Sequence, residues 1–149
     1  MTSTRKNTIC DVARDAYKTW TPVTLRYGDT DRQGHVNNAV YCTLFESGRV
    51  AFLYDAGGSV AGPGKTFVIA RLSMDFLAEM NFPGIVEVGS KILSIGRSSF
   101  TVGQALFKDS ECCSTSESVV VLTDESTRKS IPLTDEVLEL LRALTSDTR

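Results

Sequence analysis

The residues with the most chemical content run from Asp29 to Tyr41, DTDRQGHVNNAVY. Two carboxylates, a glycine and the only histidine of the chain stand immediately before a stretch with the apolar spacing of a helix. Helix N-termini carry unsatisfied N–H groups and a partial positive charge, so they stabilise negative charge developing beside them. A carboxylate placed there can attack a carbonyl polarised by those N–H groups, or activate water to do so. The pairing suits acyl transfer or hydrolysis. Each residue also has an ordinary structural use. Asp29 and Asp31 are turn formers or helix caps, His35 is a hydrogen-bonded loop residue, and Gly34 meets a positive-φ demand.

Composition removes several other chemistries. One His in 149 residues excludes any site built from two or more histidines. Cys10, Cys42, Cys112 and Cys113 have no C-x-x-C spacing, so neither a structural zinc site nor any other metal site is expected. The formal charge of −2 gives no basic footprint for nucleic acid. No apolar run approaches the roughly 18 residues that cross a bilayer, so no membrane partner is expected. The first twenty residues lack the apolar core of a secretory signal, and with the cysteines read as reduced thiols the expected location is cytoplasmic.

The elements that must position the motif follow from periodicity. Ile9, Val12, Ala13, Ala16, Tyr17 and Trp20 recur at helical intervals and predict an N-terminal helix, ended by Pro22. Val23–Tyr27 reads as a short strand. Asn37 or Asn38 caps a long helix whose stripe is Tyr41, Leu44, Phe45, Gly48, Ala51 and Phe52, with Gly57-Gly58 as its stop. The period then changes to two: Val68, Ala70, Leu72, Met74 and Phe76 share one face. Residues 86–95, 100–107 and 118–123 predict further strands joined by short turns. Thr134 caps a closing helix with Val137, Leu138, Leu141 and Leu144 inward, and Leu133 able to staple onto Leu138. A long amphipathic helix and an antiparallel sheet each need a cover, and wrapping the sheet around the helix supplies both. The fold class is α+β, and such a sheet suits an oligomer joined at a sheet edge.

With these elements in order, the chain resembles the 4-hydroxybenzoyl-CoA thioesterase-like branch of the hotdog-fold acyl-CoA thioesterases. The resemblance rests on Asp31, two residues, Gly34-His35-Val36-Asn37-Asn38, and Tyr41 three residues on. It continues through Phe45-Glu46, Arg49, Ala70–Phe76 and Ile95–Phe100, and spans roughly residues 21–133. It implies a five-stranded antiparallel sheet around a long central helix, here with an additional N-terminal helix. A single hotdog domain over 21–149 then follows a helical extension over 1–20. It also implies a homodimer or homotetramer with sites at the subunit interface.

In function, the resemblance implies hydrolysis of an acyl- or aroyl-CoA, with coenzyme A part of the substrate and no cofactor. Asp31 is the implied nucleophile or general base. The Asn38 N–H would polarise the carbonyl, and Gly34, His35, Asn37 and Tyr41 would shape the site. Arg97-Ser98-Ser99, at a strand turn, is the implied CoA contact, since Arg grips phosphate bidentately and hydroxyls add hydrogen bonds. Glu46 is expected to pair with Arg49 at i,i+3, on or near the dimer interface. Plant acyl-ACP thioesterases are also similar here. They would add His35 to the chemistry, although their second asparagine falls on Gln33 and this chain is about half their usual length. A hotdog hydratase would want an Asn-Pro step, which the chain lacks. A non-catalytic acyl-CoA binding protein remains a further alternative.

Overall fold

The computed structural model describes residues 9–145. Five strands build one antiparallel sheet: β1 (Thr19–Thr24), β4 (Lys65–Phe76), β5 (Ile85–Ile95), β6 (Ser99–Lys108) and β7 (Glu111–Asp124). Their spatial order is β1-β5-β6-β7-β4, which leaves β1 and β4 as edges. Helix α1 (Asn38–Leu53) lies across β1, β5 and β6 on the concave face. Helix α2 (Asp135–Ala143) closes the far end of that face, with Thr134 Oγ1 accepting from Val137 N at 3.3 Å. This is the hotdog arrangement expected from the sequence.

The core divides along the sheet. Tyr41, Leu44 and Phe45 of α1 meet Val86, Val88 and Leu106 at one end. Leu53 joins Ile92, Phe100, Val120 and the α2 residues Val137 and Leu141 at the other. Asn37 caps α1, its Oδ1 accepting from Ala39 N at 2.9 Å. The buried stripe of α1 differs from the expected one at its C-terminal half: Ala51 is exposed and Arg49 is buried.

The N-terminal helix does not form in residues 9–18, and residues 1–8 of the expected extension lie outside the described ones. The segment makes only a single 3-10 turn, Arg14–Ala16, and Trp20 belongs to β1. Its apolar residues recur because they cover the convex face of the sheet. Cys10 and Tyr17 pack on Ala105, Phe107 and Cys112, with Val12, Ala16 and Trp20 against them. Lys18 N donates to Ser90 O and leads into the β1–β5 ladder, a non-local pairing that competes successfully with local helical bonds. The strap is pinned by an Asp11–Lys91 ion pair and by Arg14 on Glu87 at 2.9 Å.

Gly57-Gly58 is not a helix stop. The chain leaves α1 at Tyr54, which is extended, and makes a two-residue hairpin of β2 (Tyr54–Asp55) and β3 (Gly58–Ser59). Gly58, at φ +108°, supplies its tight return. In β4 the alternation holds only in halves, because a bulge at Ala70 shifts the register between Ile69 and Arg71. Before it Phe67 and Ile69 face α1, opposite Leu122 and Val120; after it Leu72 and Met74 do, opposite Ser118 and Ser116. Cys112 and Cys113 point to opposite faces of β7, one in the convex cluster and one in the concave core.

Candidate active site

The loop from Asp31 to Asn37 is tied by its own backbone and by the segment after β4. Asp31 N donates to His35 O at 2.8 Å and Gly34 N to Asp31 O at 3.1 Å, with Gly34 at φ +85° where an L side chain would be strained. Val36 N donates to Met80 O at 2.8 Å and Asn37 N to Asp29 O at 2.9 Å. The loop is thereby locked to the start of α1.

The two aspartates of the motif have different fates. Asp29 is buried and fully engaged by Arg26, whose backbone N, Nε and Nη2 donate to it at 2.8, 3.2 and 2.8 Å. These bonds, those from the Arg26 side chain foremost, hold its carboxyl below the usual carboxylate range. Asp29 is a structural cap of the 3-10 turn Tyr27–Asp29. Asp31 is exposed, and only its Oδ1 is occupied, accepting from Gln33 N at 2.8 Å and His35 N at 3.1 Å. Its Oδ2 has no protein partner among the described residues. A carboxylate with one oxygen fixed and the other free is oriented yet available.

At the helix start the donors are also unequal. Ala39 N is capped by Asn37 Oδ1, and Val40 N reaches Asn37 O at 2.8 Å. The Asn38 N–H has no protein acceptor among the described residues. Beside it opens a cleft of about 230 Å³ lined by Asn38, Tyr41 and the run Phe76–Glu79. The buried Tyr41 hydroxyl donates to Ala78 O at 3.1 Å, and its ring meets Phe76 edge-on at 5.0 Å. Tyr41 therefore shapes the cleft wall, and burial pushes its hydroxyl pKa up. His35 is half-buried, with Nε2 3.5 Å from Glu79 Oε1.

The cleft wall does not include Asp31, and the single chain does not unite all the expected residues. Arg97-Ser98-Ser99 stands where β5 turns into β6, with Arg97 O and Ser98 O accepting from Leu133 N and Leu122 N at 2.9 Å. The other end of β5 adjoins the site loop, since Leu25 N donates to Gly84 O and Phe82 N to Gly34 O. The 11 residues of β5 span roughly 33 Å, so Arg97 and Asp31 lie at opposite ends of the sheet. The expected Glu46–Arg49 pair is absent too: Arg49 Nη1 instead donates to Gln104 Oε1 at 3.3 Å.

Sequence reasoning missed Glu79 and Asn81, which bridge to His35, because nothing local marks a loop that arrives from another strand. Gln104 did leave a signal. In Phe100, Val102, Gln104 and Leu106 it is the one polar residue at an inward position.

A model of the Thioesterase superfamily matches residues 33–113, more than half of the chain. The chain belongs to this superfamily. It is a thioester hydrolase of the hotdog fold. Among solved structures it is similar to the PA5185 protein of Pseudomonas aeruginosa strain PAO1, with 26% identity and a TM-score of 0.82 over 91% of this chain and 97% of that one. A thioesterase of Thermus thermophilus, solved in complex with coenzyme A and Zn, is 26% identical with a TM-score of 0.73, over 87% and 96% of the two chains. The uncharacterized protein YsmA of Bacillus subtilis strain 168 is 25% identical over 86% of this chain and 88% of its own length. For a thioesterase, a carboxylate with one free oxygen and an unpaired helix N–H on the same loop are groups of the kind the chemistry needs. Among the described residues no helix is long and apolar enough to cross a membrane.

Proposed function

We propose that the protein hydrolyses an acyl- or aroyl-CoA to the free acid and coenzyme A, in the manner of the 4-hydroxybenzoyl-CoA thioesterase-like branch. The observation that carries this reading is the half-occupied carboxylate of Asp31, anchored through Oδ1 and free at Oδ2, on the loop that delivers the free Asn38 N–H. The thioester carbonyl accepts from Asn38 N–H, which stabilises the oxyanion as it forms. Asp31 Oδ2 either attacks the carbonyl carbon, giving an anhydride that water resolves, or takes a proton from the attacking water. In both routes the CoA thiolate leaves. Gly34, Asn37 and Tyr41 hold the geometry, and His35 positions the loop through its backbone.

The placement of Asp31 and Arg97-Ser98-Ser99 at opposite ends of β5, a strand roughly 33 Å long, supports a homodimer or homotetramer, in which the turn of one protomer contacts the CoA bound at the site of another. The coenzyme A complex of the Thermus thermophilus relative supports the choice of thiol carrier.

Asp31→Asn tests the assignment cleanly. The asparagine Oδ1 keeps both loop bonds, so the fold persists while the charge is removed. Thiol release from a panel of short, medium, long and aromatic acyl-CoAs should fall by at least about 10²-fold, the loss typical of a principal acid–base group. Unchanged turnover in this variant refutes the role of Asp31. His35→Ala, measured alongside, would lose as much as Asp31→Asn only if the histidine shared the chemistry, as in the acyl-ACP alternative.

A further inference from the structure

A carboxylate that attacks a thioester is consumed in the first half of the reaction. Once Asp31 Oδ2 carries the acyl group it has no charge with which to take a proton, so the water that resolves the anhydride needs a second base. The sequence offers one histidine, and it is not on the wall of the cleft beside the Asn38 N–H. That wall does carry an ionisable group of the right kind. Of Asn38, Tyr41, Phe76, Leu77, Ala78 and Glu79, only Glu79 is a carboxylate, and the Tyr41 hydroxyl is spent on Ala78 O.

The segment that carries Glu79 is firmly placed. Ala78 N donates to Cys113 O of β7 at 3.1 Å, Ala78 O accepts from Tyr41 of α1, and Met80 O accepts from Val36 N of the site loop at 2.8 Å. Asn81 bridges to His35. At the side chain, Oε1 stands 3.5 Å from His35 Nε2, and Oε2 has no protein partner among the described residues. The Glu79 side chain is 68% exposed, so water reaches the free oxygen. Its charge is felt inside the cleft as well: behind burial and Cys113, it is one of the causes that push the Tyr41 hydroxyl pKa up.

We propose that Glu79 is a second catalytic carboxylate of this site, the base for the water that releases the acid, and that His35 is the positioning residue that fixes it through Nε2. The proposal rests on the hydrolase reading above and gives Asp31 the nucleophile's part. In the first half, Asp31 Oδ2 bonds to the acyl carbon, the C–S bond breaks, and the CoA thiolate leaves with the electron pair. In the second, a water oxygen bonds to the same carbon and its proton goes to Glu79 Oε2. The bond to Asp31 then breaks and restores that carboxylate. Glu79 returns to its starting state by giving the proton to solvent. With Oε1 held by His35, Oε2 is the oxygen left for the water.

Stopped-flow thiol release by the full chain tests this, with benzoyl-CoA or octanoyl-CoA as substrate, whichever wild type turns over faster. In Glu79→Gln, at an exposed position, kcat should fall about 10²-fold, a typical loss for a general base. Thiol release is the first irreversible step, so kcat/KM should be unchanged and KM should fall with kcat. A burst of thiol equal to the concentration of sites should precede the slow phase, and the quenched protein should gain the mass of the acyl group. His35→Ala should show the same pattern with a smaller fall in kcat, which a merely structural histidine would not produce. A Glu79→Gln enzyme with wild-type kcat overturns the inference. So does one in which kcat and kcat/KM fall alike without a burst. Both results leave Asp31 to its own assay, whereas unchanged turnover in Asp31→Asn overturns the reading on which Glu79 depends.

Discussion

Replacing Gly48 by alanine is the sharpest test of how α1 is seated. In an exposed helix this change stabilises by about 1 kcal/mol, because glycine is the poorer helix former. Here a methyl group at residue 48 would stand 2.5 Å from Val88 Cγ1, 2.7 Å from Gln104 Nε2 and 3.3 Å from Ser90 Oγ. Neither near neighbour yields easily. Val88 is a fully buried β-branched residue on a central strand. Gln104 Nε2 is held by Phe45 O and Ser90 Oγ, both at 3.0 Å. Overpacking of this kind costs about 1–3 kcal/mol, and displacing the buried amide adds about 1–2 kcal/mol. Setting the helix gain against these, the net destabilisation is about 2–3 kcal/mol. For a chain of this size that lowers Tm by roughly 5–10 °C. Thermal and urea unfolding should show it, with Ser47→Ala as a neighbouring control that stays within about 0.5 kcal/mol of wild type. A Gly48→Ala protein melting at or above the wild-type temperature would refute the close helix–sheet seat and the Gln104 anchor with it.

Two further outcomes follow from the site. Asp29 has its pKa lowered in the folded state by Arg26, so its contribution to stability is complete above the ordinary carboxylate range and is lost as pH falls through the depressed value. Asp29→Asn should flatten the acid limb of a stability–pH curve measured by urea unfolding; an unchanged acid limb contradicts the pairing. Tyr41→Phe removes the bond to Ala78 O while keeping the ring on Phe76, and should cost about 1 kcal/mol, or roughly 2–4 °C in Tm. Its thiol-release rate should change far less than that of Asp31→Asn, and an equal loss would place the hydroxyl in the chemistry.

Local sequence signals carried the elements and the motif. Asn37 and Thr134 announce the helix starts because a cap is a contact between residues two or three apart. The strands over residues 86–107 show in their composition and the turns between them, whereas β7 begins at Glu111, seven residues before the expected start at Ser118. Asp31 to Tyr41 is legible because its loop is closed by bonds within itself. What depends on a distant strand was not legible. The apolar rhythm of residues 9–20 is the same for a helix and for a strap laid over a sheet, and only the convex face and the β1–β5 ladder decide between them. Asp29 and Asp31 look alike in the chain, and the reach of the Arg26 side chain and the burial around the turn separate the cap from the free carboxylate. The same holds for Arg49, which i,i+3 spacing pairs with Glu46 and the tertiary structure turns inward to Gln104. The sequence by itself determined the family, the start of the central helix, and the loop that brings the proposed oxyanion donor and the proposed catalytic carboxylate. The tertiary structure decided that Arg97 stands a sheet's length away from Asp31, because β5 is extended and its two ends serve opposite poles of the fold.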